Sequence, residues 1–214
     1  MDTKLTKTID SKGRMSGEDR REAILDVASE IFLTEGYASA SMSSIAARLG
    51  GSKGTLYNYF KSKEELFLAY VQRTCALHRG NIADLLIGDG DARTLLTAFG
   101  KGYLRAFTAE QVLQNWRVIS AESSKSPEIG REFYESGPMQ GARMLANYMQ
   151  KAKDRGELTM PDVMVAAHQF TSLIHGRMIK ARLLNFIPVP TDAEIAAEVD
   201  AAIFVFFAAY GAKA

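Results

Sequence analysis

The chain has 214 residues, of which 47% are hydrophobic and 24% charged, with a formal net charge of +1. That balance is ordinary for a soluble globular protein and supplies a core without metals or disulfides. It excludes a global basic field, so any surface for nucleic acid must be a local patch.

Residues 1–17 are polar, carrying Lys4, Lys7, Lys12 and Arg14 against Asp2 and Asp10. They lack the apolar stretch of a secretion signal and are expected to form a flexible basic arm. A first helix is expected from Ser16 or Gly17. Ile24, Val27, Ala28, Ile31 and Phe32 recur at the spacing of one buried helical face, and Gly36 is placed to stop it. Ser41 is positioned to cap a short helix running to Leu49, with Ile45, Ala46 and Leu49 inward. Gly50-Gly51 makes a tight turn, and Ser52 caps a second short helix through Tyr59. Ser62-Lys63-Glu64-Glu65 has the form of a capping box opening a longer helix.

Two helices of seven or eight residues around a glycine turn form the helix-turn-helix pattern. Neither is long enough to persist alone, so both must pack on the helices before and after them. A short helix held that way presents its N-terminal end to a major groove about 12 Å wide. In the second helix Leu56 and Phe60, four apart, are expected to anchor inward. Lys53, Thr55, Asn58 and Tyr59 are left near the outer surface, and Gly54 gives backbone room to approach DNA.

The string Ser52-Lys53-Gly54-Thr55-Leu56-Tyr57-Asn58-Tyr59-Phe60-Lys61-Ser62-Lys63-Glu64-Glu65-Leu66 carries a family likeness. With Gly36-Tyr37, Ile45-Ala46 and Leu49-Gly50, it resembles the DNA-binding signature of the TetR (tetracycline-repressor-like) family of transcription regulators. The resemblance covers residues from about 18 to 68. It implies an all-α protein: an N-terminal three-helix DNA-binding bundle with a helix-turn-helix, and a larger C-terminal helical domain for ligand binding and dimerisation. On the family's pattern Ser43, Lys53, Gly54 and Tyr57 match places that face bases. Ser41, Met42 through its backbone, Thr55, Asn58, Tyr59 and Lys63 match places that touch phosphates. Two positions depart from the pattern. Gly51 stands where the family usually has Val, removing a small core contact. Ser44 stands where an acidic residue often completes the cap begun by Ser41, so a weaker cap is expected.

Further breaks are expected at Gly88-Asp89-Gly90, Ser126-Pro127, Gly156, before Pro161, and at Pro188 to Pro190, with helices between them. The domains are accordingly the arm at 1–17, the helix-turn-helix domain at 18–65, and an effector-binding and dimerisation domain at 66–214. Trp116-Arg117, Ala121-Glu122, Ser126-Pro127-Glu128, Phe133-Tyr134 and Gly137-Pro138 are similar to one C-terminal subgroup of the family. The likeness implies that this body binds a small effector and that its last two helices, about Asp162 to Leu184 and Asp192 to Tyr210, build a homodimer. In the second of these Ile195, Val199, Ala202, Ile203, Phe206 and Phe207 are wider than one core stripe requires, which suits an interface.

Phe99, Tyr103, Phe107, Trp116, Met144 and Tyr148 are the aromatic and Met candidates for an effector pocket, with plain core packing as the competing role. His168 and His175, seven apart, share a face and join them, against core or interface roles. Cys75 is a single cysteine, so no intramolecular disulfide forms and a reducing compartment is expected; its helical setting fits an inert buried thiol. The apolar run Ala201 to Tyr210 is half the length of a membrane span. A soluble cytoplasmic protein without membrane partner is expected. No nucleophile with a matched base, phosphate loop, metal-ligand spacing or cofactor motif is found, so no enzyme is expected. The expected function is a ligand-responsive regulator, a repressor released from near-palindromic double-stranded operator DNA by a small molecule. The alternative is a helical small-molecule-binding or enzymatic protein without a DNA role, using Cys75 or a histidine.

Overall fold

The computed structural model describes residues 16–88 and 90–212, which form twelve α-helices and one 3-10 turn. The basic arm with Lys4, Lys7, Lys12 and Arg14 lies outside the described residues. Two compact units result, divided between Val71 and Gln72.

The first unit begins with α1 (Gly17–Thr34), capped by Ser16, whose Oγ accepts from the Asp19 amide at 3.0 Å. Its buried face is Ile24, Leu25, Ala28, Ile31 and Phe32; Leu25 takes the fully buried place expected of Val27. Gly36 ends the helix at φ +79°, a left-handed conformation that side chains rarely adopt. There follows α2 (Gly36–Ser39), a single turn that apolar spacing does not reveal, then α3 (Met42–Arg48) and α4 (Lys53–Tyr59). α5 (Lys63–Ala83) crosses the division between units. Phe32 and Phe67 meet edge to face at 4.9 Å, with Tyr37 and Tyr70 against them. Leu56 and Phe60 are buried as expected, each such side chain contributing roughly 1.5–3 kcal/mol of transfer free energy. That burial holds α4 in place, because seven residues make too short a helix to stand alone.

The second unit holds the 3-10 turn Asp84–Leu86, α6 (Ala92–Phe107), α7 (Glu110–Ser123), α8 (Pro127–Ser136) and α9 (Pro138–Asp154). α10 (Val163–His175), α11 (Met178–Leu183) and α12 (Asp192–Tyr210) complete it. Its core joins Phe99, Leu145, Phe170, Val199 and Phe206. A Cβ on Gly100 would come within 2.9 Å of Val199 Cγ1, so α6 and α12 approach at glycine distance.

The helix expected over Asp162 to Leu184 is two helices. Gly176 adopts φ +36° and ψ −136°, a conformation that no helix continues through, and α11 starts afresh beyond it. The α11 turn is tied back by Arg182, only 6% exposed, which donates to Thr108 O, Ile187 O and Glu110 Oε2 at 3.2, 3.1 and 2.9 Å.

α12 has the expected bounds but not the expected outer face. Ile195, Val199, Ala202, Ile203 and Phe206 are buried inside this one chain, and Phe207 packs partly against the same core. The apolar side chains left exposed are Phe204 at 73% and Val205 at 49%. α12 is apolar at most positions, so spacing alone did not say which stripe turns inward. Among the described residues, no helix is long and apolar enough to cross a membrane.

Candidate nucleic-acid interface and ligand cavity

The geometry of α3 and α4 is set by their caps. Ser41 Oγ accepts from the Ser44 amide at 3.0 Å, and Ser44 Oγ accepts from the Ser41 amide at 3.1 Å. The expected weak cap is therefore a closed box, because a serine hydroxyl reaches the same amide as the family's acidic side chain. Ser52 Oγ accepts from the Thr55 amide at 3.1 Å and lies 3.0 Å from the Thr55 hydroxyl. Between the helices Gly50 turns at φ +65°, and a Cβ on Gly51 would stand 3.3 Å from the Arg20 guanidinium. The box expected at the start of α5 is shifted: Ser62 Oγ accepts from the Glu65 amide at 3.1 Å, while Glu65 Oε2 reaches past it to the Lys61 amide at 2.6 Å.

Residues 41–63 contain four cations, Arg48, Lys53, Lys61 and Lys63, and no acidic residue. Three of the four are engaged. Arg48 pairs with Glu30 at 3.0 Å. Lys61 Nζ donates to the Tyr57 carbonyl at 3.1 Å. Lys63 Nζ donates to the carbonyls of Tyr37 and Ala40 at 2.9 and 3.0 Å, over the Tyr37 ring. Lys53, exposed in the first turn of α4, has no ion pair or hydrogen bond to any described residue.

The other candidates of this region lie at the start of α3 and along α4. Ser41 and Ser43 are exposed, and Met42 buries its side chain, leaving only its backbone available. Gly54, Asn58 and Tyr57 are exposed, Tyr57 by 43%, so Tyr57 is not part of the core. Thr55 and Tyr59 are half-buried. A Cβ on Gly54 would meet nothing nearer than Ser52 Oγ at 3.6 Å, so the glycine is not required by packing.

The second unit encloses a cavity of about 210 Å³ with walls from α5, α6, α7, α8, α9 and α10. Six of the eight candidates line it: Phe99, Tyr103, Phe107, Trp116, His168 and His175. Met144 and Tyr148 do not; they lie on α9 toward the core rather than the cavity. The aromatic wall is continuous. Tyr103 stacks on Phe107 at 4.3 Å, Phe107 meets Trp116 at 6.2 Å, and Trp116 meets Phe133 edge to face at 6.0 Å. Tyr103 OH and His175 Nε2 are 2.7 Å apart. Burial raises the Tyr103 phenol, and burial with the nearby Lys180 charge lowers His175, so both groups are neutral at pH 7. Burial likewise lowers His78.

Sequence reasoning missed Cys75, His78 and Arg79 on α5 and Phe133 and Tyr134 on α8 as cavity residues. The signal was present: Cys75, His78, Arg79 and Ile82 stand at i, i+3, i+4 and i+7, one face of α5. Burial pushes the Cys75 thiol up to about 11, with Arg79 opposing the shift and Glu132 adding to it. Among the described residues, no group of three or more His, Cys, Asp or Glu is placed to hold a metal ion.

Residues 24–70 match the family of bacterial regulatory proteins, tetR family, and residues 94–212 match the C-terminal domain of the AefR-like transcriptional repressors. The chain is 28% identical to the transcriptional repressor ComR of Escherichia coli over 179 residues, covering 80% of this chain and 83% of that one. Likeness to the transcriptional activator FasR of Mycolicibacterium smegmatis is stronger, 48%, but confined to 60 residues, 28% of this chain and 27% of FasR. The solved structure of FrrA, a flavonoid-responsive regulator, superposes with a TM-score of 0.80 at 32% identity, covering 93% of this chain and all of that one.

Proposed function

The chain belongs to the tetR family of bacterial regulatory proteins, and from that premise we propose a repressor that leaves its operator when a small molecule occupies the cavity of the second unit. It is a helix-turn-helix, DNA-binding transcriptional regulator. The relatives and the fold are those of regulators rather than enzymes. The observation that carries the DNA half is the unengaged Lys53 beside exposed Gly54, Tyr57 and Asn58, on a helix fixed by its cap and by Leu56 and Phe60.

Lys53, Ser43, Gly54 and Tyr57 face bases in this reading. Ser41, the Met42 amide, Thr55, Asn58 and Tyr59 hold phosphates. Lys63 adds a phosphate contact with the one ammonium hydrogen that Tyr37 and Ala40 leave over. Regulators of this family typically bind DNA as dimers, and the exposed Phe204 and Val205 of α12 suit the face that pairs. Two recognition helices related by a dyad then read a near-palindromic operator with half-sites roughly 34–36 Å apart, or a multiple of that.

Repression is favoured over activation by extent of likeness: the repressor ComR aligns over 80% of this chain, the activator FasR over 28%. Release by effector needs differential binding. A ligand that prefers the dimer with mismatched half-site spacing shifts the population, by no more than its preference allows. The aromatic cavity supports a planar aromatic effector, and FrrA, of like fold, is flavonoid-responsive.

The test is Lys53→Ala on cognate and scrambled duplexes. The variant is expected to lose about 1–3 kcal/mol on the cognate site and relax preference at one base position per half-site. Equal loss on both duplexes makes Lys53 a phosphate contact and removes it from base reading.

A further inference from the structure

Arg79 stands one turn beyond Cys75 on α5, half-buried at the cavity wall. Its Nη1 donates to the Ser136 carbonyl at 2.6 Å, at the C-terminal end of α8. No carboxylate of the described residues lies within ion-pair distance of it. The acidic side chain in the neighbourhood, Glu132, accepts instead from the Ser136 hydroxyl. A second cation, the exposed Lys180 on α11, acts on His175 through its charge and is likewise without an ion pair among the described residues. No aspartate or glutamate is among the residues that line the cavity. His78 and His175 are kept neutral by burial, and the Cys75 thiol is protonated.

A guanidinium has five donors in a planar fork, and one carbonyl uses only part of it. A half-buried cation that lacks a counter-ion costs desolvation until an anion arrives. The neighbouring wall is aromatic: Tyr103, Phe107 and Trp116 form a continuous surface for a flat ring. At about 210 Å³ the cavity falls below the ~300–1,000 Å³ of sites for drug-sized ligands. That leaves room for one or two rings rather than a long chain.

Resting on the effector reading above, we propose that the ligand of this cavity is a small planar aromatic carboxylate, its ring against Tyr103, Phe107 and Trp116 and its carboxylate on the Arg79 fork. The cation selects the acid over its neutral analogues, and the aromatic wall selects a ring over an aliphatic tail.

Trp116 is the single tryptophan of the chain, so its fluorescence reports the cavity directly. The full chain is titrated with trans-cinnamate, with its neutral isostere cinnamamide, and with octanoate. Wild type, Arg79→Gln and Arg79→Lys are compared. Cinnamate is expected to bind wild type about ten- to a hundred-fold more tightly than cinnamamide, the worth of a charge-assisted contact. Arg79→Gln should erase that preference and leave cinnamamide affinity unchanged, while Arg79→Lys should restore part of it. Octanoate should bind more weakly than cinnamate. The wild-type comparison of acid with amide needs no variant, so it stands even where loss of the Ser136 hydrogen bond unfolds Arg79→Gln. Equal affinity for cinnamate and cinnamamide overturns the proposal, as does an Arg79→Gln variant that weakens both alike. Octanoate matching cinnamate overturns its aromatic half, and no response to any of the three overturns it whole. Release of the promoter duplex by the amide or by octanoate, with no preference for the acid, leaves the effector reading standing while this proposal falls.

Discussion

Gly54 separates folding from DNA reading, because nothing in the fold needs it. It lies exposed in the first turn of α4, its φ is not positive, and an added Cβ would meet only Ser52 Oγ at an ordinary 3.6 Å. Glycine in a helix is less favourable than alanine by about 0.5–1 kcal/mol, so Gly54→Ala should stabilise the free protein by up to that amount. In a melt followed by circular dichroism this is a rise of roughly 1–4 °C for a chain of this length. Against DNA the sign reverses. If the α4 backbone approaches the groove at this point, the new methyl overpacks the contact at a cost of about 1–3 kcal/mol, or roughly 5- to 150-fold in operator Kd. The assay is fluorescence anisotropy with the cognate duplex, run on the protein preparation used for the melt. A variant that melts higher and binds the operator with unchanged affinity refutes the close approach, and with it the orientation assigned to α4. A variant that melts lower refutes the stability argument instead.

Three other outcomes follow from the geometry. Phe204→Glu with Val205→Glu should give folded monomers by light scattering, whereas Phe206→Ala, deep in the protomer core, should cost about 3–5 kcal/mol in urea melts; a double variant that stays dimeric moves the interface off this face. Cys75, raised to about 11 by burial, should resist iodoacetamide in the native protein at pH 8, since roughly one thiol in a thousand is ionised there; rapid native labelling would overturn the inert reading. The Glu110 carboxyl is held below the usual range chiefly by Arg117 and that of Glu157 chiefly by Arg155. Because their folded values are depressed, their stabilisation is present above the unfolded value near ~4.3 and is lost as pH falls through the folded value. The melting temperature should therefore decline modestly from about pH 6.5, where the unfolded chain protonates the two histidines that burial keeps neutral, and drop further below about 4.3, and a melt flat down to pH 3 contradicts it.

The first unit was largely legible because its signals are local. Ser41, Ser52 and Gly36 mark helix ends through their own hydrogen bonds and dihedrals, with no help from distant chain. α2 escaped because one turn has no apolar period, and Gly176 escaped because a lone glycine inside a helical pattern is usually tolerated. The cavity was half legible. Phe99, Tyr103, Phe107 and Trp116 announce themselves by type and spacing, but Tyr148 and Met144 have the same type and face elsewhere. Arg79, Cys75 and His78 share one face of α5, yet each weighed alone has a blander role, and only tertiary packing turns that face to the cavity. α12 shows the limit most clearly: Phe204, Phe206 and Phe207 are chemically alike, and a helix apolar on nearly every side does not encode which of them is inside.

The central claim, operator-specific DNA binding by a regulator of this family, is tested most directly with the wild-type protein. Its affinity is measured against salt on a duplex from its own promoter region and on a scrambled duplex of equal length and composition. The account expects the promoter duplex to be preferred at every salt concentration, with log K falling linearly against log salt on both duplexes. Indistinguishable affinities for the two duplexes across the whole salt range would contradict it.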